Sequence, residues 1–252
     1  MNYATDISIY GMLPANAEFV PGTNRAVYKN KQHKQILSWD KNFTDKKVPV
    51  SYFYIDSKPS DCRCSKMTQL IVGKFDEAYF KMSGNKNKRF RRIIHKYDKR
   101  GLKISKSCPR EAVLNLIARW EEEHGKKTYR MQMHSSYDKR FFKKSLDTLQ
   151  DKVTVYYCMD GERCVGYKVI ETSPYIRDHG LLEYIAMLKK YDPSYSRICE
   201  YLDYAVYREM FNDNGRQPFV INSGCSSGKV AQYKREKFPV YETKDLYFYK
   251  RG

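Results

Sequence analysis

The sequence predicts a mixed α/β (α+β) protein, and three observations carry that prediction. Runs rich in β-branched and aromatic residues, such as Ser51–Asp56 and Lys152–Cys158, read as strands. Apolar residues elsewhere recur at i, i+3, i+4 and i+7, the spacing of an amphipathic helix. Asp160-Gly161 separates two strand-like runs and marks a hairpin turn.

The 252 residues are enough for one large or two small domains, and 41% of them are hydrophobic, enough for a core. No apolar run approaches the ~20 residues of a membrane span. The first residues, Met-Asn-Tyr-Ala-Thr-Asp, lack a basic segment followed by an apolar one, so no signal peptide is expected. Seven scattered cysteines predict reduced thiols and a cytoplasmic location. The close pair Cys62 and Cys64 has no second pair to complete a zinc pattern, and no metal site is expected. The net charge of +18 favours a polyanionic partner, either a nucleic acid or an acidic membrane surface. The 23 tyrosines can stack on bases or sugars, although most are expected at half-buried strand positions.

Taken in order, residues 1–48 show weak periodicity, interrupted by Pro14, Pro21 and Gly22, and are expected to form an N-terminal extension to a domain spanning 49–252. Ser51–Asp56, Thr68–Gly73 and Ala78–Met82 read as strands. In the following stretch Phe90, Ile93, Ile94 and Tyr97 form a helical stripe that ends at Gly101. The opposite face carries Lys86, Lys88, Arg89, Arg91, Arg92, Lys96, Lys99 and Arg100. So many cations on one short helix repel each other. They form either a solvated face or a track for phosphates. A short strand (Leu102–Ser107) and helices at 110–124 and 137–149 come next. Strands follow at Lys152–Cys158, Arg163–Glu171 and Leu181–Leu188, then a helix at Ser196–Phe211. The chain closes with a strand at Phe219–Ile221, a small-residue loop, a helix bearing Tyr233, and a strand at Leu246–Tyr249.

This order of helices, antiparallel meander, helix, strand, helix and strand resembles the GNAT acyltransferase fold. "RFRRIIHKYDKRGLKI" is similar to the basic helix, glycine and strand that open the Fem-like branch, "YYCMDGERCVGYKVI" to its central hairpin, and "NSGCSSGKVAQYKREKF" to its closing signature. The resemblance covers Gly84–Phe238. It implies a mixed, mostly antiparallel central sheet with splayed strands, flanked by helices.

The resemblance also implies a site. The pantetheine arm of acetyl-CoA or another acyl-CoA would pair with the splayed strands, along the backbone of Tyr184, Ile185 and Ala186 and beside Ser223. The next helix would receive the pyrophosphate at its N-terminus. Here that loop has no glycine, so Lys189, Lys190, Ser194, Ser196 and Arg197 are the residues offered to phosphate, with Lys234 from the closing signature. Tyr233 is the candidate general acid for the leaving group. Glu183 is the candidate base, ahead of Asp203, Glu200, Glu171 and His179, and Asn222 is the candidate to hold the acyl carbonyl. "VAQYKREKF" departs from the family pattern, with Lys237 at the expected glycine. Fem-type enzymes lack the usual loop and take their acyl group from aminoacyl-tRNA, which makes tRNA the alternative donor.

The charge points to nucleic acid as partner, DNA before RNA, with Lys88, Arg89, Arg91, Arg92, Lys96, Lys99 and Arg100 as its contacts. No membrane and no obligate protein partner is expected. Mom-type DNA-modification proteins of phages share the GNAT-like character, which makes an amine on a modified DNA base the leading acceptor. A non-catalytic nucleic-acid-binding protein is the third reading. There is no Gly-x-Ser-x-Gly elbow, Walker A loop, Gly-x-Gly-x-x-Gly or His-Glu-x-x-His motif to support hydrolase, nucleotidase, dinucleotide or zinc-protease chemistry.

Overall fold

The structure, a computed structural model, describes residues 65–124, 138–149, 153–176, 180–226 and 228–251, together with strands at 17–19, 25–29, 34–38 and 50–55. Cys62, Cys64 and His179 lie outside these residues. Five strands come first: β1 (Ala17–Phe19), β2 (Arg25–Lys29), β3 (Lys34–Ser38), β4 (Val50–Ile55) and β5 (Ser65–Phe75). Helix α1 (Glu77–Lys81), a 3-10 turn, α2 (Lys88–Lys99), β6 (Lys103–Ser105) and α3 (Arg110–His124) follow. A π-helical stretch, Phe141–Ser145, runs into α4 (Leu146–Leu149), and β7 (Val153–Asp160), β8 (Arg163–Ile176) and β9 (Leu182–Tyr191) form a meander. The chain ends with α5 (Ile198–Asp213), β10 (Phe219–Ser226), α6 (Gly228–Lys237) and β11 (Val240–Arg251).

The chain divides into two units, residues 1–73 with 222–252, and residues 74–221. In the first, β1–β3 form an antiparallel meander within residues 1–48, and β3 runs parallel to β4. β11 pairs antiparallel with both β4 and β5, with register shifts near Glu242 and Tyr247.

In the second unit β6, β7, β8 and β9 pair antiparallel in sequence order, and the start of β10 lies beside β9. Alternate side chains face opposite sides of a strand, and the two faces carry different helices. Lys168 of β8 and Lys189 of β9 reach Asp203 on α5. Their neighbours Tyr167 and Lys190 reach Asp138 on the other face, where Lys190 also lies over the Trp120 ring of α3 at 4.4 Å. Gly166 lets α5 approach β8 closely, since a Cβ there would stand 3.2 Å from Leu202 Cδ2.

Helix α2 packs on α5 through the stripe its sequence predicts. Ile93, Ile94 and Tyr97 are buried, Phe90 meets Tyr204 edge-on at 5.9 Å, and Tyr97 meets Tyr201 at 5.1 Å. Gly101, in the left-handed region at φ +81°, closes the helix as expected: its N–H reaches Asp98 O, and that of Leu102 reaches Tyr97 O.

Residues Ala78–Met82, expected as a strand, are helical. Asp76 caps α1 by accepting from the Tyr79 N–H, and Met82 leaves it in the left-handed region. The aromatic pair suggested a strand. The cap and the packing of Tyr79 and Phe80 on Tyr204 override that preference.

Candidate active site

Strand β9 carries an irregularity midway along its length. Leu188 pairs with Val169 and Ala186 with Ile170, so Met187 is an extra residue, a β-bulge. Bulges interrupt a ladder and re-aim neighbouring groups, and they recur beside active sites. Glu183 lies opposite Tyr175 and is partly exposed. Tyr184 meets Phe219 of β10 edge-on at 5.7 Å, and burial raises its phenol pKa. Ile185 is buried and lies opposite Glu171.

Beyond Tyr191 the chain turns through residues 192–197 into α5, and this loop is held from inside. Asp192, 2% exposed, accepts from Ser194 twice, N at 3.1 Å and Oγ at 2.6 Å. It also accepts from Arg119 Nε at 3.1 Å and Arg163 Nη2 at 2.6 Å. Burial raises this carboxyl, but the Ser194 bonds and Arg163 outweigh burial and hold it below the usual range. Arg119, Arg163, Asp192, Pro193 and Ser194 line an open cavity of about 370 Å³ together with Glu122 and Glu123.

The N-terminus of α5 is similarly engaged. Arg197, at φ 64°, binds Glu200 through two bonds of 2.7 Å. That carboxylate, in the first turn, complements the positive end of the helix. The N–H groups of Ile198 and Glu200 are bound to Tyr195 O and Arg197 O. The Ser196 carbonyl accepts from Tyr97, and the Tyr195 hydroxyl lies between Arg100 and Asp160.

The residues offered to a pyrophosphate are therefore placed differently from expectation. Lys189 belongs to β9 and pairs with Asp203 at 2.7 Å. Lys190, 6% exposed, pairs with Asp138 at 2.7 Å. Ser194 serves Asp192, Ser196 receives Tyr97, and Arg197 holds Glu200. A pyrophosphate is held by free N–H groups and uncommitted cations, and here Lys189, Lys190 and Arg197 are each committed to a carboxylate within the protein. Asp203 and Glu200, weighed as bases, are buried partners of these cations.

The remaining candidates lie in the first unit. Asn222 and Ser223 of β10 are buried, and the Ser223 hydroxyl has no hydrogen-bond partner among the described residues. Lys234 of α6 donates to the Ser223 carbonyl, fixing the helix to the strand. Tyr233 is partly exposed and meets Phe238 edge-on at 6.3 Å. Of the basic residues of α2, Lys88, Arg89, Arg92, Lys96 and Lys99 are exposed. Arg91 and Arg100 are structural. The first donates to Met82 O and Gly84 O; the second pairs with Asp160 at 2.7 Å.

Sequence reasoning missed Lys168, Asp138, Asp192, Arg119 and Arg163. Two signals could have found some of them. A lysine in the apolar run of β8 demands a buried anion, and Asp192-Pro193-Ser194 is an Asx-turn sequence.

No family model matches the chain, and no curated protein matches it. Solved structures do. A conserved protein of unknown function from Bacteroides thetaiotaomicron superposes with a TM-score of 0.63 at 11% identity, covering 98% of this chain and 89% of its own. The C-terminal domain of a putative lysylphosphatidylglycerol synthetase from Agrobacterium fabrum gives 0.55 at 10% identity, covering 99% and 88%. A tandem GNAT protein from the clavulanic acid biosynthesis pathway gives 0.52 at 8% identity, covering 100% and 90%. The fold is thus GNAT-like, a mixed and mostly antiparallel sheet flanked by helices. No helix among the described residues is long and apolar enough to cross a membrane.

Proposed function

We propose that the chain is an acyltransferase of GNAT-like fold whose acyl donor is an aminoacyl ester on tRNA and whose acceptor is an amine. One observation carries the choice of donor: the side chains of Lys189, Lys190, Ser194 and Arg197, expected to hold a CoA pyrophosphate at the β9–α5 junction, are already bound within the protein. The bulge at Met187 supports acyl transfer at β9. The net charge of +18 suits a polyanionic donor. One structural neighbour is described as a putative lysylphosphatidylglycerol synthetase, a name that couples an aminoacyl group to a phospholipid.

In this reaction the acceptor amine attacks the ester carbonyl. The C–N bond forms, the C–O bond to the ribose breaks, and the ribose oxygen takes a proton. Glu183 on β9 is the candidate to accept the proton of the amine. Tyr233 is the candidate to donate one to the leaving oxygen, and Asn222 to bind the carbonyl oxygen. The acyl-CoA reading, with an amine on a DNA base as acceptor, needs a pyrophosphate site, and four of the side chains expected to form it are engaged within the protein.

The test is a discharge assay with labelled aminoacyl-tRNA and labelled acetyl-CoA, each incubated with the protein and a set of amine acceptors that includes amine-bearing DNA. Enzyme-dependent transfer from tRNA is expected. Transfer from acetyl-CoA alone would overturn the reading.

A further inference from the structure

We infer that the exposed face of α2 is the docking track for the duplex arm of the donor tRNA, aligned to end at the β9–α5 loop. This inference rests on the tRNA-donor reading and extends it to the surface that holds the RNA.

Three observations carry it. The first is placement. At 100° per residue, Lys88, Arg89, Arg92, Lys96 and Lys99 fall within one arc of about 100°, opposite the stripe of buried Ile93, Ile94 and Tyr97 and partly buried Phe90. They are spread along a helix of twelve residues, a length of about 18 Å.

The second is charge. The side chains of Lys88, Arg89, Arg92 and Lys99 have no hydrogen-bond or ion-pair partner among the described residues, and Lys96 is directed over the Tyr97 ring at 5.0 Å. The one acid of the helix, Asp98, is engaged by the Tyr201 hydroxyl at 3.0 Å and by Arg208 at 3.5 Å. The fold therefore leaves the cations of this arc to repel one another, and a phosphodiester backbone is the kind of partner that neutralises such a row.

The third is position. Both ends of the helix are clamped by the two arginines that are bound within the protein. Arg91 binds Met82 O and Gly84 O at the start. At the end, Arg100 binds Asp160 and stacks on Tyr195 at 4.4 Å, and Tyr97 binds Ser196 O at 2.7 Å. The track is thus held rigidly against the loop that follows the bulged strand. Phosphate contacts fix register without reading sequence, which suits a donor that must present its acylated end in one place.

The test compares the wild-type protein with the triple variant Lys88→Glu/Arg92→Glu/Lys99→Glu. None of these side chains has an internal partner, so the variant should keep its melting temperature. Binding of deacylated tRNA is measured by anisotropy across a salt series, and KM and kcat are measured with aminoacyl-tRNA. The slope of log affinity against log salt should fall by about three, about one per lost contact. KM should rise by at least tenfold with kcat nearly unchanged. A folded variant with unchanged slope and KM overturns the track, while continued discharge of aminoacyl-tRNA by that variant leaves the donor reading standing. Wild-type binding that depends on these residues without any discharge leaves the track standing and overturns the donor reading. Tighter binding of a DNA duplex of equal length overturns the assignment to RNA.

Discussion

Tyr97 donates its hydroxyl hydrogen bond to the carbonyl of Ser196 at 2.7 Å, across ninety-nine residues of sequence. The bond joins the basic helix α2 to the loop that enters α5. Burial raises the phenol above its ordinary pKa, so the hydroxyl remains a donor at any working pH. Replacing Tyr97 by Phe keeps the ring against Tyr201 and leaves the Ser196 carbonyl without this donor. A loss of about 1–2 kcal/mol is expected, with faster amide exchange confined to residues 194–200. Unchanged exchange there would mean that the loop is held by Asp192 alone.

Asp203 is the second expected point of failure. It is 2% exposed and lies between Lys168 and Lys189 at 2.5 and 2.7 Å, with Lys168 itself 3% exposed over the Tyr207 ring. Removing the carboxylate charge leaves a buried ammonium uncompensated. Asp203→Asn should cost about 3–5 kcal/mol, and adding Lys168→Met should recover part of the loss. A stable single variant in thermal melts would contradict this.

The same group predicts an acid transition. Burial pushes the Asp203 carboxyl up, but Lys168 and Lys189 outweigh burial and hold it at about 2, below its ordinary 3.8. Because the folded value is the lower one, the contribution is complete above the unfolded pKa and disappears as pH falls through the folded one. Wild-type melting temperature should therefore drop more steeply between about pH 4 and pH 2 than that of the Asp203→Asn/Lys168→Met variant. Parallel curves would show that other carboxylates govern acid stability.

What the sequence revealed follows from which signals are local. The α2 stripe, the Gly101 stop and the Asp160-Gly161 turn are set by near neighbours, and each appears where periodicity and turn chemistry put it. Lys189 and Lys190 show the opposite. Adjacent in sequence, they point to opposite faces of β9, and only the tertiary fold brings Asp203 to one and Asp138 to the other. Asp192 gathers Arg119 and Arg163 from α3 and β8, a convergence that no spacing along the chain records. The segment between β9 and α5 was thus visible as a loop, but not as one in which Asp192, Ser194 and Arg197 are already engaged.

Tyr233 remains the candidate acid, and its test does not depend on which donor is correct. Tyr233→Phe keeps the ring against Phe238 and removes only the hydroxyl. Turnover should fall by about 10² to 10⁴, with melting temperature and donor affinity nearly unchanged. Full turnover in the folded variant would show that another group or water supplies the proton. A large stability loss would assign the hydroxyl a structural role.

The most direct measurement of the central claim is a pair of calorimetric titrations of the wild-type protein, one with acetyl-CoA and one with tRNA. The occupied loop at Asp192–Arg197 predicts saturable, salt-sensitive binding of tRNA and no heat of binding with acetyl-CoA. Saturable binding of acetyl-CoA that weakens in Ser194→Ala or Arg197→Ala, with no binding of tRNA, would contradict it.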